Sequence, residues 1–260
     1  RIDDIQLEEV TPAVGTVTGR IVNNNGTGIA NAYVFFKVPL YQNSMDGRYC
    51  DFVKTNSNGY FTANMPLGCY FIQAFKEGYL SGPSFRYVLV DGNKALGNLT
   101  LAPGEPNLVY QRNDLVAVTS TMSGYDKYYA VDGDIYTKWM SIDNEEPQDF
   151  VVAFDTPSDI HQVVLYWDVV HAELGMLSSD YQIDIMYSGN PFDPASWDSQ
   201  GCCLVPLTHT TYSYEIEPGV GLSLITCYAP DAIGLRIRTV NRSWWDIPAR
   251  IREIRVNGTP

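Results

Sequence analysis

The chain has 260 residues, of which 17 are Lys or Arg and 30 are Asp or Glu, for a formal net charge of −13. Such a surface repels phosphate, which excludes a nucleic-acid partner and disfavours anionic lipid. With 45% hydrophobic and 18% charged residues the composition is globular, and 18 Tyr, 10 Phe and 5 Trp alongside 21 Gly and 15 Pro predict a β-rich, turn-rich protein.

Residues 1–13 read as an N-terminal segment. Arg1–Val10 carries five charges and precedes the first recognisable strand. It reads either as a linker from an upstream module or as a strand that adds to the sheet edge of a neighbouring copy of the chain. From residue 14 onward the apolar residues alternate with period 2, as half-buried strands do. Val34/Phe36/Val38, Phe61/Ala63/Met65, Phe150/Val152/Phe154, Val163/Leu165/Trp167, Tyr181/Ile183/Ile185/Tyr187 and Leu235/Ile237 all follow this pattern. Asn25-Gly26, Asp46-Gly47, Asn58-Gly59, Asp91-Gly92, Asp132-Gly133 and Asn257-Gly258 supply turn dipeptides between them, with Asn58-Gly59 expected as a two-residue hairpin. No amphipathic helix longer than two turns is predicted, so the fold class is all-β: two β-sandwiches in tandem. The two prolines and absent periodicity of residues 103–112 mark a linker between domains at 14–102 and 113–260.

No run of about 18 apolar residues occurs, so no helical transmembrane segment is expected. A chain opening at Arg1 with four Asn-x-Ser/Thr sequons fits a secreted, extracellular or cell-surface protein. Five cysteines lack metal-ligand spacing. They suggest the pairs Cys50–Cys69 and Cys227 with Cys202 or Cys203; the alternative is that all five are small buried hydrophobes.

In the first domain, Gly15-Thr-Val-Thr-Gly19, Lys54-Thr-Asn-Ser-Asn-Gly-Tyr-Phe61, Pro66-Leu-Gly-Cys-Tyr70 and Gly78-Tyr79 occur in an order that resembles the carboxypeptidase regulatory-like domain, a transthyretin-like seven-stranded sandwich. The resemblance implies a spacer. A catalytic zinc has no cage, because the three histidines are His161, His171 and His209 and His171-Ala-Glu173 has the wrong spacing.

In the second domain, Ala130-Val-Asp-Gly-Asp-Ile-Tyr-Thr-Lys-Trp139 with the closing Glu253-Ile-Arg-Val256 resembles the discoidin, or coagulation factor V/VIII type C, domain and its relatives the family 32 carbohydrate-binding modules. Two carboxylates flanking a glycine turn, with a Thr three residues on, can converge hard oxygens on one cation. The resemblance implies a structural Ca²⁺ held by the carbonyls of Tyr129 and Arg252 and the side chains of Asp132, Asp134, Thr137 and Glu253. It also implies glycan binding by loops at one end of the sandwich, where aromatic faces stack on sugars and planar polar groups bond hydroxyls. Three clusters meet that description: Asn241-Arg242-Ser243-Trp244-Trp245, Asp168 with His171 and Glu173, and Tyr125. Asp168 and His171 occupy the stretch where the family's galactose-binding Arg falls. Trp139 and Trp167 are expected in the core. The function expected is a non-catalytic carbohydrate-binding or adhesion protein; the alternative is a structural subunit of an extracellular filament, joined through residues 1–13.

Overall fold

The computed structural model describes residues 13–37, 50–80, 86–142, 147–168, 180–205, 214–240 and 249–260. The first half contributes β1 (Val14–Val22), β2 (Tyr33–Lys37), β3 (Cys50–Lys54), β4 (Tyr60–Pro66), β5 (Gly68–Phe75), β6 (Tyr79–Leu80), β7 (Arg86–Val90), β8 (Lys94–Thr100) and β9 (Ala102–Pro103). A three-stranded sheet, β4-β1-β8, faces a four-stranded one, β3-β2-β5-β7. Period 2 explains the packing: Val34 and Phe36 meet Phe61, Ala63, Met65, Ile72 and Ala74 in one buried cluster.

The second half contributes β10 (Val116–Val118), β11 (Trp139–Met140), β12 (Gln148–Asp168), β13 (Asp180–Met186), α1 (Pro194–Gln200), β14 (Gly201–Val205), β15 (Tyr214–Glu217), β16 (Val220–Val240) and β17 (Arg250–Thr259). β12 and β16 are long, bent partners. Residues 148–153 of β12 pair with 234–239 of β16, the register breaks between Ala153 and Ser158, and the remainder pairs with 220–232. Asp231 accommodates the bend at φ 55. Each strand therefore serves two layers. One layer runs β14-β13-β16-β12-β10 and the other β15-β16-β12-β17-β11. Between them lie Phe150, Ile183, Leu235 and Ile237 from one side and Val163, Leu165, Trp167, Ile251 and Ile254 from the other. Trp139 and Trp167 are both fully buried there, as expected.

The apolar run Val163–Trp167 is buried on both faces. Its alternate residues Val164 and Tyr166, with Ile216, Val220 and Leu222, form a second cluster with Phe35 and Phe75 of the first sandwich. Tyr33 and Phe52 extend it, Tyr33 stacking on Phe35 at 5.9 Å. The two sandwiches are packed directly together. The connection is anchored too: Leu108 N–H donates to the Val256 carbonyl at 2.9 Å.

Three expectations are corrected. Asn58-Gly59 is not a hairpin, since β3 and β4 belong to different sheets; it is a sheet-to-sheet turn in which Gly59 N–H donates to the Asn56 carbonyl at 3.0 Å. Gly59 has φ +82, and a Cβ there would lie 2.4 Å from the Ile21 carbonyl oxygen, so both conformation and space require glycine. Asn257-Gly258 lies inside β17, where the glycine admits the Asp159 carbonyl 2.1 Å from an added Cβ. Cys69 and Cys227 are free thiols. β2 separates β3 from β5, and two strand spacings of ~4.8 Å exceed the ~7 Å disulfide reach between Cα atoms. Cys227 lies 3.9 Å from the Ile160 carbonyl in the layer opposite β14, and burial pushes its thiol up to about 11. Nor is the all-buried alternative right for Cys69, which is exposed.

Candidate functional site

The acidic turn begins where the 3-10 turn of Lys127–Ala130, capped by the Asp126 side chain, delivers Ala130 and Val131 into the core. Gly133 then adopts φ +91. Asp132 Oδ1 accepts the Asp134 N–H at 2.9 Å, and the Thr137 hydroxyl lies 2.9 Å from Asp132 Oδ2 and 3.3 Å from the Tyr129 carbonyl. Glu253 reaches the turn from β17: its Oε2 accepts the Gly133 N–H at 3.1 Å. Four of the six residues expected around a cation are thereby gathered, namely Tyr129, Asp132, Thr137 and Glu253.

The other two differ. Asp134 is exposed and its Oδ1 accepts the Tyr136 N–H at 2.9 Å, turning it into its own loop. Arg252 is the residue skipped where β17 shifts register, with Tyr166 opposite Glu253 and Trp167 opposite Ile251. A bulge of this kind takes a residue out of the ladder, as a carbonyl ligand requires. Among the described residues no three acidic, His or Cys side chains stand in metal-ligand geometry.

Glu253 is nevertheless unusual. It is fully buried, its Oε1 makes no hydrogen bond, and the Arg255 Nε is 3.7 Å away. Burial pushes its carboxyl up to about 8, the Asp132 charge adds to this, and the Gly133 N–H and Arg255 oppose it. A buried carboxylate with an orphaned oxygen is costly unless a cation or further donors meet it. The donors around it are hard oxygens, which suit Ca²⁺ and not a soft metal.

A second constellation lies where β12 ends and β17 begins. Asp168, at the end of β12, is buried. Its Oδ2 accepts from Lys138 Nζ at 2.7 Å and Arg250 Nη1 at 3.3 Å, and its Oδ1 accepts from Arg252 Nη2 at 2.5 Å. Burial alone would raise this carboxyl, but the Lys138 hydrogen bond and the Arg252 and Lys138 charges outweigh it and hold the group below the usual range. Both oxygens carry nitrogen partners, so Asp168 anchors three cations. Lys138 Nζ also lies 5.8 Å from the ring centre of half-buried Tyr125. Tyr125 and Asp168, two of the expected ligand residues, are brought together through this lysine.

Residues 169–179 follow Asp168 directly and residues 241–248 precede Arg250 by two positions or more. Asn241, Arg242, Trp244, Trp245, His171 and Glu173 lie on these segments, outside the described residues. Lys138 and Arg250 were missed in the sequence. Their signal was period-2 basic residues, Arg250 and Arg252 flanking Ile251, and a lysine between the turn's Thr137 and the core Trp139.

Fold and site define an all-β protein of two packed sandwiches, the second carrying an acidic turn closed by its last strand. The sequence matches no family model and no curated protein. The structure is similar to chitosan-binding module 1 of a chitosanase/glucanase from Paenibacillus sp. IK-5, at 23% identity over 58% of this chain and 98% of the module, with a TM-score of 0.44. It is also similar to a family 32 carbohydrate-binding module produced by Clostridium perfringens, in complex with GlcNAc-alpha-1,4-galactose, at 13% identity over 59% and 94% of the two chains and a TM-score of 0.42. An F5/8 type C domain from Bacteroides fragilis is similar at 15% identity over 55% and 90%, with a TM-score of 0.41.

Proposed function

We propose that this chain is a non-catalytic, extracellular carbohydrate-binding protein. The second sandwich, discoidin-like, binds glycan through residues 169–179 and 241–248, and the first, transthyretin-like, braces it. The observation that carries this reading is the Asp168 network. Three cations converge on one buried carboxylate beside Tyr125, immediately where those two segments join the sandwich. A rigid base lowers the ordering cost of whatever the two segments bind. What they carry in sequence is two adjacent tryptophans, an Asn, an Arg, a His and a Glu, the side-chain types that stack on sugar faces and bond hydroxyls.

A structural Ca²⁺ accompanies this function. It would be held by Asp132, Asp134, Thr137 and Glu253 with the carbonyls of Tyr129 and Arg252, and it would supply positive charge that ties the turn to the last strand. The orphaned Glu253 Oε1 supports it. Asp134 would turn away from the Tyr136 N–H to join the set.

The test is a glycan array probed with the whole chain in calcium-containing buffer. Binding to a defined set of plant, host or microbial glycans is expected, and a blank across all three overturns the reading.

A further inference from the structure

The junction of the two sandwiches encloses a cleft of about 370 Å³. That volume is in the range of small-ligand pockets. Phe75 of β5 and Val164 of β12 are among the residues that line the cleft. One wall is backbone: a Cβ at Gly104 would lie 2.5 Å from the Gly78 carbonyl, so only glycine permits this approach. At the mouth stands Tyr110, 51% exposed, its ring packed over Gly133 of the acidic turn.

The polar groups are held in place before any ligand arrives. Asn107 Oδ1 accepts the Val256 N–H at 3.0 Å, which fixes the amide and leaves its NH₂ as a donor. Asn257 Nδ2 donates to Gln162 Oε1 at 2.9 Å, which leaves its carbonyl as an acceptor. The two carboxylates in the lining already have nitrogen partners, Glu77 with the Arg255 guanidinium and Glu105 with His161 Nδ1 at 2.6 Å. A neutral ligand with an apolar face and several hydroxyls finds an aromatic ring, apolar lining, and fixed donors and acceptors.

We propose that this cleft is a second saccharide site, taking one or two neutral sugar residues, separate from the Asp168 end of the molecule. It does not depend on the segments at 169–179 and 241–248 binding anything.

The experiment is saturation-transfer NMR and calorimetric titration of the full chain with glucose, galactose, xylose, N-acetylglucosamine, cellobiose and lactose. At least one is expected to bind weakly. Tyr110→Ala should weaken that binding roughly tenfold by removing the stacking face, and Asn257→Ala should weaken it as well, while Tyr87→Ala, on an exposed ring outside the cleft, leaves it unchanged. Asn257→Ala keeps Tyr110 on Gly133, so it stands in if Tyr110→Ala does not fold. Absence of binding by every sugar overturns the proposal. So does binding that survives both cleft variants and disappears with Trp244→Ala or Trp245→Ala, an outcome that leaves the loop reading standing.

Discussion

Asp168 shows how much one residue can organise. Its carboxyl sits below the usual range because three cations outweigh the cost of burial. A group depressed in the folded state adds stability above its unfolded value of about 4, and that stability is lost as pH falls through the folded value. Asp168→Asn should therefore cost about 2–3 kcal/mol at neutral pH, because it leaves three half-buried cations without their shared carboxylate. The gap from wild type should close below pH ~4; urea unfolding at both pH values checks this, and a pH-independent difference contradicts it. Glu253→Gln acts in the opposite sense. Burial pushes the Glu253 carboxyl up to about 8, so above the unfolded value of about 4 folding must take up a proton there, a cost the amide does not carry. Without calcium the variant should therefore unfold at a higher temperature than wild type, and calcium should no longer raise its melting temperature. Wild type should melt lower in chelator than in calcium, since an ion bound only by the folded state stabilises it. The free thiols give a simpler check: a maleimide should label exposed Cys69 in the folded protein and spare Cys227, whose thiol burial holds protonated.

At the scale of elements, β12 carries the most information. The alternation of Val163, Leu165 and Trp167 was legible because one face meets the second sandwich's own core. The role of Val164 and Tyr166 was not, because their partners Phe35 and Phe75 lie more than eighty residues away in sequence and on another domain. The acidic turn was legible because Asp132, Gly133 and Thr137 are neighbours in sequence. The Asp168 network was not, since Lys138 arrives from just before β11 and Arg250 and Arg252 from β17, and only pairing brings them together. Turn dipeptides misled where glycine serves close approach, as at Gly258. Truncating Phe35 to Ala tests the shared cluster: it should cost about 3–5 kcal/mol, and calorimetry should resolve the single transition expected of wild type into two. Two transitions already present in wild type would contradict the shared cluster.

On the scale of the whole molecule, the −13 charge is partly local. Asp132 and Glu253 face one proposed cation, and Asp149, Asp168 and Asp184 are ion-paired with Arg or Lys. The aromatics divide in a similar way. Trp139, Trp167, Phe35 and Phe75 are buried, Tyr110 stands at the interdomain cleft, and Trp244 and Trp245 belong to the segment rooted near Asp168. The most direct measurement is calorimetric titration of the strongest array glycan into wild type, Trp244→Ala and Trp245→Ala. At least one tryptophan variant should lose binding tenfold or more while its melting temperature and calcium response stay those of wild type; equal affinity in all three proteins would contradict glycan recognition at this end of the sandwich.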